Sequence, residues 1–284
     1  MDFALSEDQR AIENAARAFA AAELSPNAAR WDEDKSFPVE TLRAAAALGF
    51  AGVCVREDVG GSGLTRLDAA IVFEALAAGD PSTVAFLSIH NMASWMIDAF
   101  GADDLRRRYL PRLTTMELIA SYCLTEPGAG SDAAALATSA TREGGGYVLN
   151  GSKAFISGAG ASDLYVVMAR TGAAGAGGVS TFVVETGSPG LTFGAQERKL
   201  GWSSQPTAAV HFDNVRVPAA NRVGEEGQGF RIAMAGLDGG RLNIAACSLG
   251  GAAFALDTAK DYLATRKQFG RPLKDFQALQ FRLA

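Results

Sequence analysis

The residues best suited to chemistry lie in one stretch, Tyr122-Cys-Leu-Thr-Glu-Pro-Gly-Ala-Gly-Ser-Asp132. Its apolar start predicts a strand, and the proline and glycines that follow predict a sharp turn. Gly128 and Gly130 leave the backbone open to a flat or charged ligand, because neither has a side chain. Thr125 and Ser131 add hydroxyl donors at the same edge. The pattern favours a loop that binds an electron-rich ring or a phosphate.

Two other interpretations of this stretch remain open. Residues 128–133 also fit the loose glycine-x-glycine-x-x-alanine pattern of dinucleotide-binding folds. That pattern requires a strand that leads directly into a long apolar helix, with an acidic residue about 20 positions later. Here residues 134–141 lead instead to three glycines and a new strand, and the nearest acid, Glu143, comes too early. An ordinary surface turn is the second alternative.

The same stretch resembles the signature of the acyl-CoA dehydrogenases, flavoenzymes that desaturate acyl thioesters. The similarity runs from Phe3 to Ala284 and includes residues 150–160, 201–207 and 239–245. It implies FAD as the cofactor and α,β-dehydrogenation of a short branched-chain acyl-CoA, such as isobutyryl-CoA in valine breakdown. It also implies electron transfer to electron-transfer flavoprotein and a homotetramer. The alternatives are a nitroalkane oxidase or flavin monooxygenase on the same fold, or a non-catalytic binding fragment.

The resemblance also implies which residues contact the cofactor. They are Tyr122, Cys123, Leu124, Thr125, Gly130, Ser131, Phe155, Ile156, Ser157, Arg266, Phe276 and Gln277. Thr125 would donate to the flavin edge that gains negative charge on reduction, and Ser157 would hydrogen-bond the flavin. The Phe155 ring would lie against the flavin; without the resemblance, Phe155 would be a core residue. Arg266 would reach the pyrophosphate of a neighbouring subunit's cofactor, or else bind carbonyls at a helix end.

A second set of residues is implied to bind the substrate. It consists of Ser131, Asp238, Gly239, Gly240 and Arg241. Arg241 lies in an otherwise apolar helical sequence, where an unpaired cation would be costly. It therefore needs a carboxylate or a ligand as its partner. An ion pair with Asp238, three residues earlier, is the alternative.

The resemblance implies a glutamate as catalytic base, either near the end of the terminal domain or at the position of Gly240. Gly240 supplies no carboxylate, so no catalytic residue is expected within this chain and the base is expected beyond Ala284. The sequence ends inside an apolar helical pattern without a cap, which predicts an incomplete C-terminal domain. We therefore expect little or no dehydrogenase activity from the 284 residues.

Three groups of elements must position these stretches. Residues 1–113 show helical periodicity, which begins at a capping-box pattern formed by Ser6 and Gln9. Residues 119–218 hold short β-type runs divided by Gly, Asn, Ser and Pro, with no helical pattern between them. Residues 226–284 return to helical spacing. The predicted fold class is α+β, with an N-terminal helical domain, a central β-domain and the first part of a C-terminal helical bundle.

Composition narrows the class of protein further. The chain is 48% hydrophobic and 20% charged, which is typical of a soluble globular protein, and its net charge of −5 favours neither nucleic acid nor an anionic membrane. The three cysteines lack metal-type spacing and are expected to be buried, reduced thiols. The two histidines, His90 and His211, are too few for a metal site. No apolar run is expected to cross a bilayer, and the N-terminus shows no targeting pattern, so a cytoplasmic location is expected.

Overall fold

The computed structural model describes residues 4–284, so the first three residues of the expected helical domain lie outside it. Six α-helices come first: α1 (Glu7–Phe19), α2 (Ala28–Asp34), α3 (Val39–Ala47), α4 (Arg66–Ala77), α5 (Pro81–Phe100) and α6 (Asp103–Thr114). The predicted capping box of α1 is confirmed, since the Ser6 hydroxyl accepts from Gln9 N–H and the Gln9 side chain accepts from Ser6 N–H. A π-helical turn at Ala20–Leu24 extends α1.

Helix α5 is buried on nearly all sides and joins the helical domain to the sheet. It begins after Asp80, whose carboxylate caps the first turn by accepting from Ser82 and Thr83 N–H. The ring of His90, which is fully buried, lies within hydrogen-bond distance of Leu113 O through Nε2 and accepts from Ala120 N–H through Nδ1, both at 3.0 Å. These two contacts fix the end of α6 and the first residue of the sheet relative to α5.

The described residues form one eight-stranded mixed sheet. Its strands are β1 (Ala120–Cys123), β2 (Ser139–Glu143), β3 (Gly146–Ser157), β4 (Leu164–Arg170), β5 (Val179–Glu185), β6 (Leu191–Phe193), β7 (Thr207–Pro218) and β8 (Arg222–Val223). The spatial order is β6-β7-β3-β2-β4-β5-β8, and β1 pairs in parallel with β4 from Ala120↔Leu164 to Cys123↔Val167. The expected α+β class with a central β-domain is therefore confirmed.

Helix α7 (Gly229–Thr265) follows the sheet and packs closely on α4 and α5. Glycines permit this approach: a Cβ at Gly236 would lie 2.6 Å from Met96 Sδ, and one at Gly250 would lie 2.1 Å from Glu74 O. A short hairpin with strands of two residues each, β9 (Lys267–Gln268) and β10 (Arg271–Pro272), then leads to α8 (Gln277–Leu283). The chain therefore returns to the helical domain after the sheet and closes the space between them.

Helix α7 also exposes large apolar side chains. They are Leu242, Leu249, Phe254, Leu256 and Tyr262. By its length and composition alone, α7 is long and apolar enough to cross a membrane, so the expectation that no apolar run is long enough is wrong. The sequence-based expectation failed because glycine and alanine make a long uncharged stretch without a run of large apolar residues. Core helices of soluble proteins can have the same length and composition, so this one helix is weak evidence for a membrane span.

Candidate active site

A pocket of about 260 Å³ opens where the sheet meets helices α5 and α7. Its walls are Ser88, Ile89 and Met92 from α5, Tyr122, Leu124 and Thr125 at the end of β1, Phe155, Ile156 and Ser157 at the end of β3, and Leu237, Gly240 and Ile244 from α7. Two strand ends that the sequence singled out therefore meet at one site. The α5 residues were missed, because periodicity alone does not distinguish a helix face that lines a pocket from one that packs in the core.

Two residues of the pocket wall keep hydrogen-bonding groups free of partners in the described chain. Thr125 accepts a hydrogen bond from Ala154 N–H at 2.9 Å through its carbonyl, but its own N–H and hydroxyl bind nothing within residues 4–284. Ser157 accepts from the Ser121 hydroxyl at 2.5 Å through its carbonyl, and its own hydroxyl likewise has no partner there. Donors that face a pocket without an internal partner are available to a ligand.

The aromatic ring of Phe155 stands at the same pocket. The side chain is 66% exposed, so its interpretation as a core residue is wrong. The pairing of β3 with β7 shifts register between Lys153 and Ile156, and Phe155 has a φ of +57°, in the left-handed region that non-glycine residues rarely adopt. This irregularity turns the ring out of the sheet and presents it to the pocket.

A buried ion pair, which the sequence analysis missed, lies behind the pocket wall. Lys153 Nζ is 2.7 Å from Glu126 Oε1 and donates to Leu124 O at 3.1 Å. Burial lowers the pKa of Lys153, although the Glu126 carboxylate opposes this shift. Burial alone would raise the pKa of Glu126, but hydrogen bonds from Lys153 and Thr138 hold it below its usual value. The signal in the sequence was a lysine inside an otherwise uncharged strand.

Three other residues of the Tyr122–Asp132 stretch do not line the pocket. Cys123 is fully buried on the other side of β1, and burial raises the pKa of its thiol to about 12. Gly130 and Ser131 are exposed on the loop beyond Glu126. Their assignment to cofactor and CoA stays a prediction. Of the other cysteines, Cys247 is buried, whereas Cys54 is only partly buried, contrary to expectation.

The residues of the predicted substrate-binding turn on α7 face three different directions. Gly240 lines the pocket. Gly239 lies under Arg66, whose guanidinium would be 1.4 Å from a Cβ at that position. Arg241 is exposed and pairs with Asp238 at 3.2 Å. The ion pair that the sequence offered as the alternative is therefore present, and the assignment of Arg241 to substrate binding stays a prediction.

The remaining cofactor residues lie away from the pocket. Arg266 follows α7, and Gln277 begins α8; both are exposed. Phe276 is half-buried against Phe269 and under the Arg271 guanidinium, 4.2 Å from its ring centroid. The structure does not bring these three predicted residues to the pocket of their own chain, so a contact with a neighbouring subunit's cofactor stays a prediction.

The site fits a flavin ring. Its walls are mainly apolar, an aromatic ring stands beside it, and free donors at Thr125 and Ser157 can stabilise negative charge on a planar ligand. A helical domain, a mixed sheet and a long closing helix surround this pocket. The fold and the site together are those of a protein that can bind a flavin.

Comparison with known proteins narrows this class to one family. Acyl-CoA dehydrogenase domain models match the chain in order: the N-terminal domain at residues 6–117, the middle domain at 121–215 and the C-terminal domain at 227–284. The chain therefore belongs to the acyl-CoA dehydrogenase family, whose members are FAD flavoproteins.

Individual relatives agree with this assignment. The mitochondrial isobutyryl-CoA dehydrogenase of Bos taurus is 60% identical over 280 residues, which cover 99% of this chain and 67% of that protein. A chain in the solved structure of the electron transferring flavoprotein of Acidaminococcus fermentans matches with a TM-score of 0.96 and 40% identity, covering 100% of this chain and 75% of that one. The FAD complex of PigA matches with a TM-score of 0.95 and 36% identity, and the match covers 100% of this chain and 75% of the PigA chain.

Proposed function

We propose that this chain binds FAD and a short branched-chain acyl-CoA, isobutyryl-CoA first among them, in the manner of an enzyme for α,β-dehydrogenation in valine breakdown. The observation that carries the proposal is the pocket, in which free donors of Thr125 and Ser157 stand opposite an apolar wall. The 60% identity to the bovine isobutyryl-CoA dehydrogenase supports the choice of substrate. When bound, FAD supplies the acceptor for the hydrogen that leaves the β-carbon as hydride.

The protein's part in this reaction is to bind and orient. Thr125 and Ser157 would hydrogen-bond the polar edge of the ring, and Phe155 would exclude water from it. Met92, Leu237 and other apolar residues of α5 and α7 would hold the short acyl group. One carbon more or less in an acyl chain is worth only about 1–3 kcal/mol in such a pocket. The main competitors are therefore 2-methylbutyryl-CoA, which has one carbon more, and butyryl-CoA, the straight-chain isomer.

We further propose that the 284-residue chain binds these ligands without turning them over. A base must lie within hydrogen-bond reach of the proton that it removes. None of the described residues that line the pocket carries a carboxylate. At Gly240, a Cβ would already lie 2.8 Å from Met92 Sδ, so a larger side chain there would require Met92 to move.

The test is a visible spectrum of the purified protein reconstituted with FAD, before and after anaerobic addition of isobutyryl-CoA. We expect bound flavin whose spectrum shifts on ligand addition but does not bleach; free CoA serves as the control for binding without the acyl group. Bleaching by isobutyryl-CoA would contradict the proposed lack of a base. Failure to bind FAD would contradict the proposed site, and bleaching by a nitroalkane would favour the oxidase alternative.

We also propose that electrons pass to electron-transfer flavoprotein, that the chain assembles as a homotetramer, and that it is cytoplasmic. The similarity to a chain in the electron transferring flavoprotein structure supports the first point. The exposed apolar side of α7 and the exposed Arg266 support the second, because large apolar patches mark interfaces. Binding to purified electron-transfer flavoprotein tests the first point, and cell fractionation tests the third. Light scattering after size exclusion tests the second, and a monomer in that measurement would contradict the tetramer.

A further inference from the structure

The buried Lys153–Glu126 pair ties together three segments around the pocket wall. Lys153 is on β3, two residues before Phe155, and Glu126 directly follows Thr125. The Glu126 carboxylate also accepts from the N–H groups of Ala137 at 2.6 Å and Thr138 at 2.9 Å. Every oxygen of this carboxylate is therefore engaged, and none of its contacts is with the pocket itself.

Stability alone is a weak reason for such a pair. The exposed fractions of the two side chains are 0% for Lys153 and 7% for Glu126, so both charges have lost their water. A buried ion pair of this kind is often no more stabilising than a well-packed apolar pair, because the desolvation cost offsets the attraction. The other contact of the ammonium group, with a backbone carbonyl, therefore suggests a role beyond stability.

The carbonyl that Lys153 Nζ contacts, at 3.1 Å, is that of Leu124. The carbonyl belongs to the same planar peptide group as the N–H of Thr125. A cation that hydrogen-bonds the oxygen of an amide draws electron density toward it and makes the N–H a stronger donor. The next carbonyl, that of Thr125, accepts from Ala154 N–H, so the peptide is held on both sides by β3.

We propose that Lys153 is a positioning residue for the cofactor: it fixes and polarises the Leu124–Thr125 peptide so that Thr125 N–H is a strengthened donor to the edge of the flavin that gains negative charge. Glu126 holds the ammonium group in place. The inference rests on the proposed function, in which Thr125 faces the flavin. It adds a buried charge that acts on the cofactor through a single peptide group.

The first experiment needs no cofactor. In ¹⁵N-labelled protein, the amide proton of Thr125 is expected to move upfield in Lys153→Met, because the N–H is less polarised, while Lys260→Met leaves it in place. Lys260 is the matched control, since it loses the same charge from an exposed ion pair with Asp257. An unchanged Thr125 resonance in a folded Lys153→Met protein overturns the inference.

The second experiment measures FAD. Lys153→Met is expected to lower the affinity for FAD about tenfold, equivalent to about 1.4 kcal/mol, and to make the midpoint potential of the bound flavin more negative. Glu126 is left unpaired in that variant, so the double variant Lys153→Met/Glu126→Gln is measured beside it to restore stability. A double variant that unfolds like the wild type but still binds FAD weakly supports the inference. If stability and FAD affinity recover together, the pair is only structural and the inference is overturned.

The two experiments separate this inference from the proposed function. If the wild-type protein takes up no FAD, the proposed function fails, and the Thr125 amide shift still decides the role of Lys153. If FAD binds equally well to the wild type and to a folded Lys153→Met variant with an unchanged potential, the proposed site stands and the role of Lys153 is refuted.

Discussion

Replacing His90 by asparagine should remove much of the dependence of stability on pH below neutrality. The ring accepts from Ala120 N–H through Nδ1, so Nε2 carries the proton and donates to Leu113 O. Protonation of Nδ1 would place its N–H opposite the Ala120 N–H, so that two donors would face each other with no acceptor between them. Burial of the ring lowers the pKa of His90 from 6.5 to about 4, with the hydrogen bond to Leu113 O opposing the shift.

The sign of the effect follows from which state binds the proton first. Because the pKa is lower in the folded protein, the unfolded chain protonates first as the pH falls. The contribution of neutral His90 is therefore complete above pH 6.5, declines between pH 6.5 and about 4, and is lost below that. The fall from 6.5 to about 4 corresponds to about 3 kcal/mol, of which about 2 kcal/mol is lost by pH 5.

The assay is the free energy of unfolding in urea at pH 7.5 and pH 5. His90→Asn keeps an acceptor for Ala120 N–H but does not titrate, so its loss between the two pH values should be about 2 kcal/mol smaller than that of the wild type. His211→Asn is the matched control, because His211 is the other histidine of the chain and is exposed beside Ser152. An equal pH dependence in the wild type and His90→Asn would refute the reasoning.

Two further substitutions, each with its own control, test a close helix contact and a buried ion pair. Gly250→Ala should lower the free energy of unfolding by about 1–3 kcal/mol, because the new Cβ would meet the Glu74 carbonyl at 2.1 Å. Gly145→Ala, where no atom lies within 4 Å, should change it by less than about 0.5 kcal/mol. Asp98→Asn should cost about 1.5–3 kcal/mol in urea at pH 7, because it removes the buried carboxylate that pairs with both Arg56 and Arg106. Arg106 keeps its ion pairs with Asp58 and Asp103, which limits the loss. The exposed pair of Asp257 makes Asp257→Asn a control, and an equal effect of the two would contradict the role of burial.

Features that depend on neighbours in sequence could be predicted. The capping box at Ser6 and Gln9 needs only a spacing of three, and it forms as expected. The strand that delivers Thr125 to the pocket likewise follows from an apolar run ended by Glu126 and Pro127. In such cases the interacting groups are fixed by local backbone geometry, so the sequence contains the whole argument.

Features that depend on rotation or on distant partners could not be predicted. Successive residues of a helix point about 100° apart, so Gly239, Gly240 and Arg241 face Arg66, the pocket and solvent in turn. The sequence shows that the three are adjacent but not which faces the ligand. Lys153 pairs with Glu126 from a strand that returns to β1 only through tertiary contacts, so a buried lysine looked like an ordinary strand residue.

The parallel pairing of β1 with β4 sets when the pocket can form during folding. Ala120 and Leu164 are partners although 44 positions separate them, and β2 and β3 lie between them in the chain. Such pairing waits for a long loop to close, which makes it slow compared with helices and hairpins. The Leu124–Thr125 peptide therefore reaches its final position only after β3 and β4 have been synthesised and docked. A nascent chain that has not yet reached residue 164 carries the whole signature stretch but no cofactor pocket.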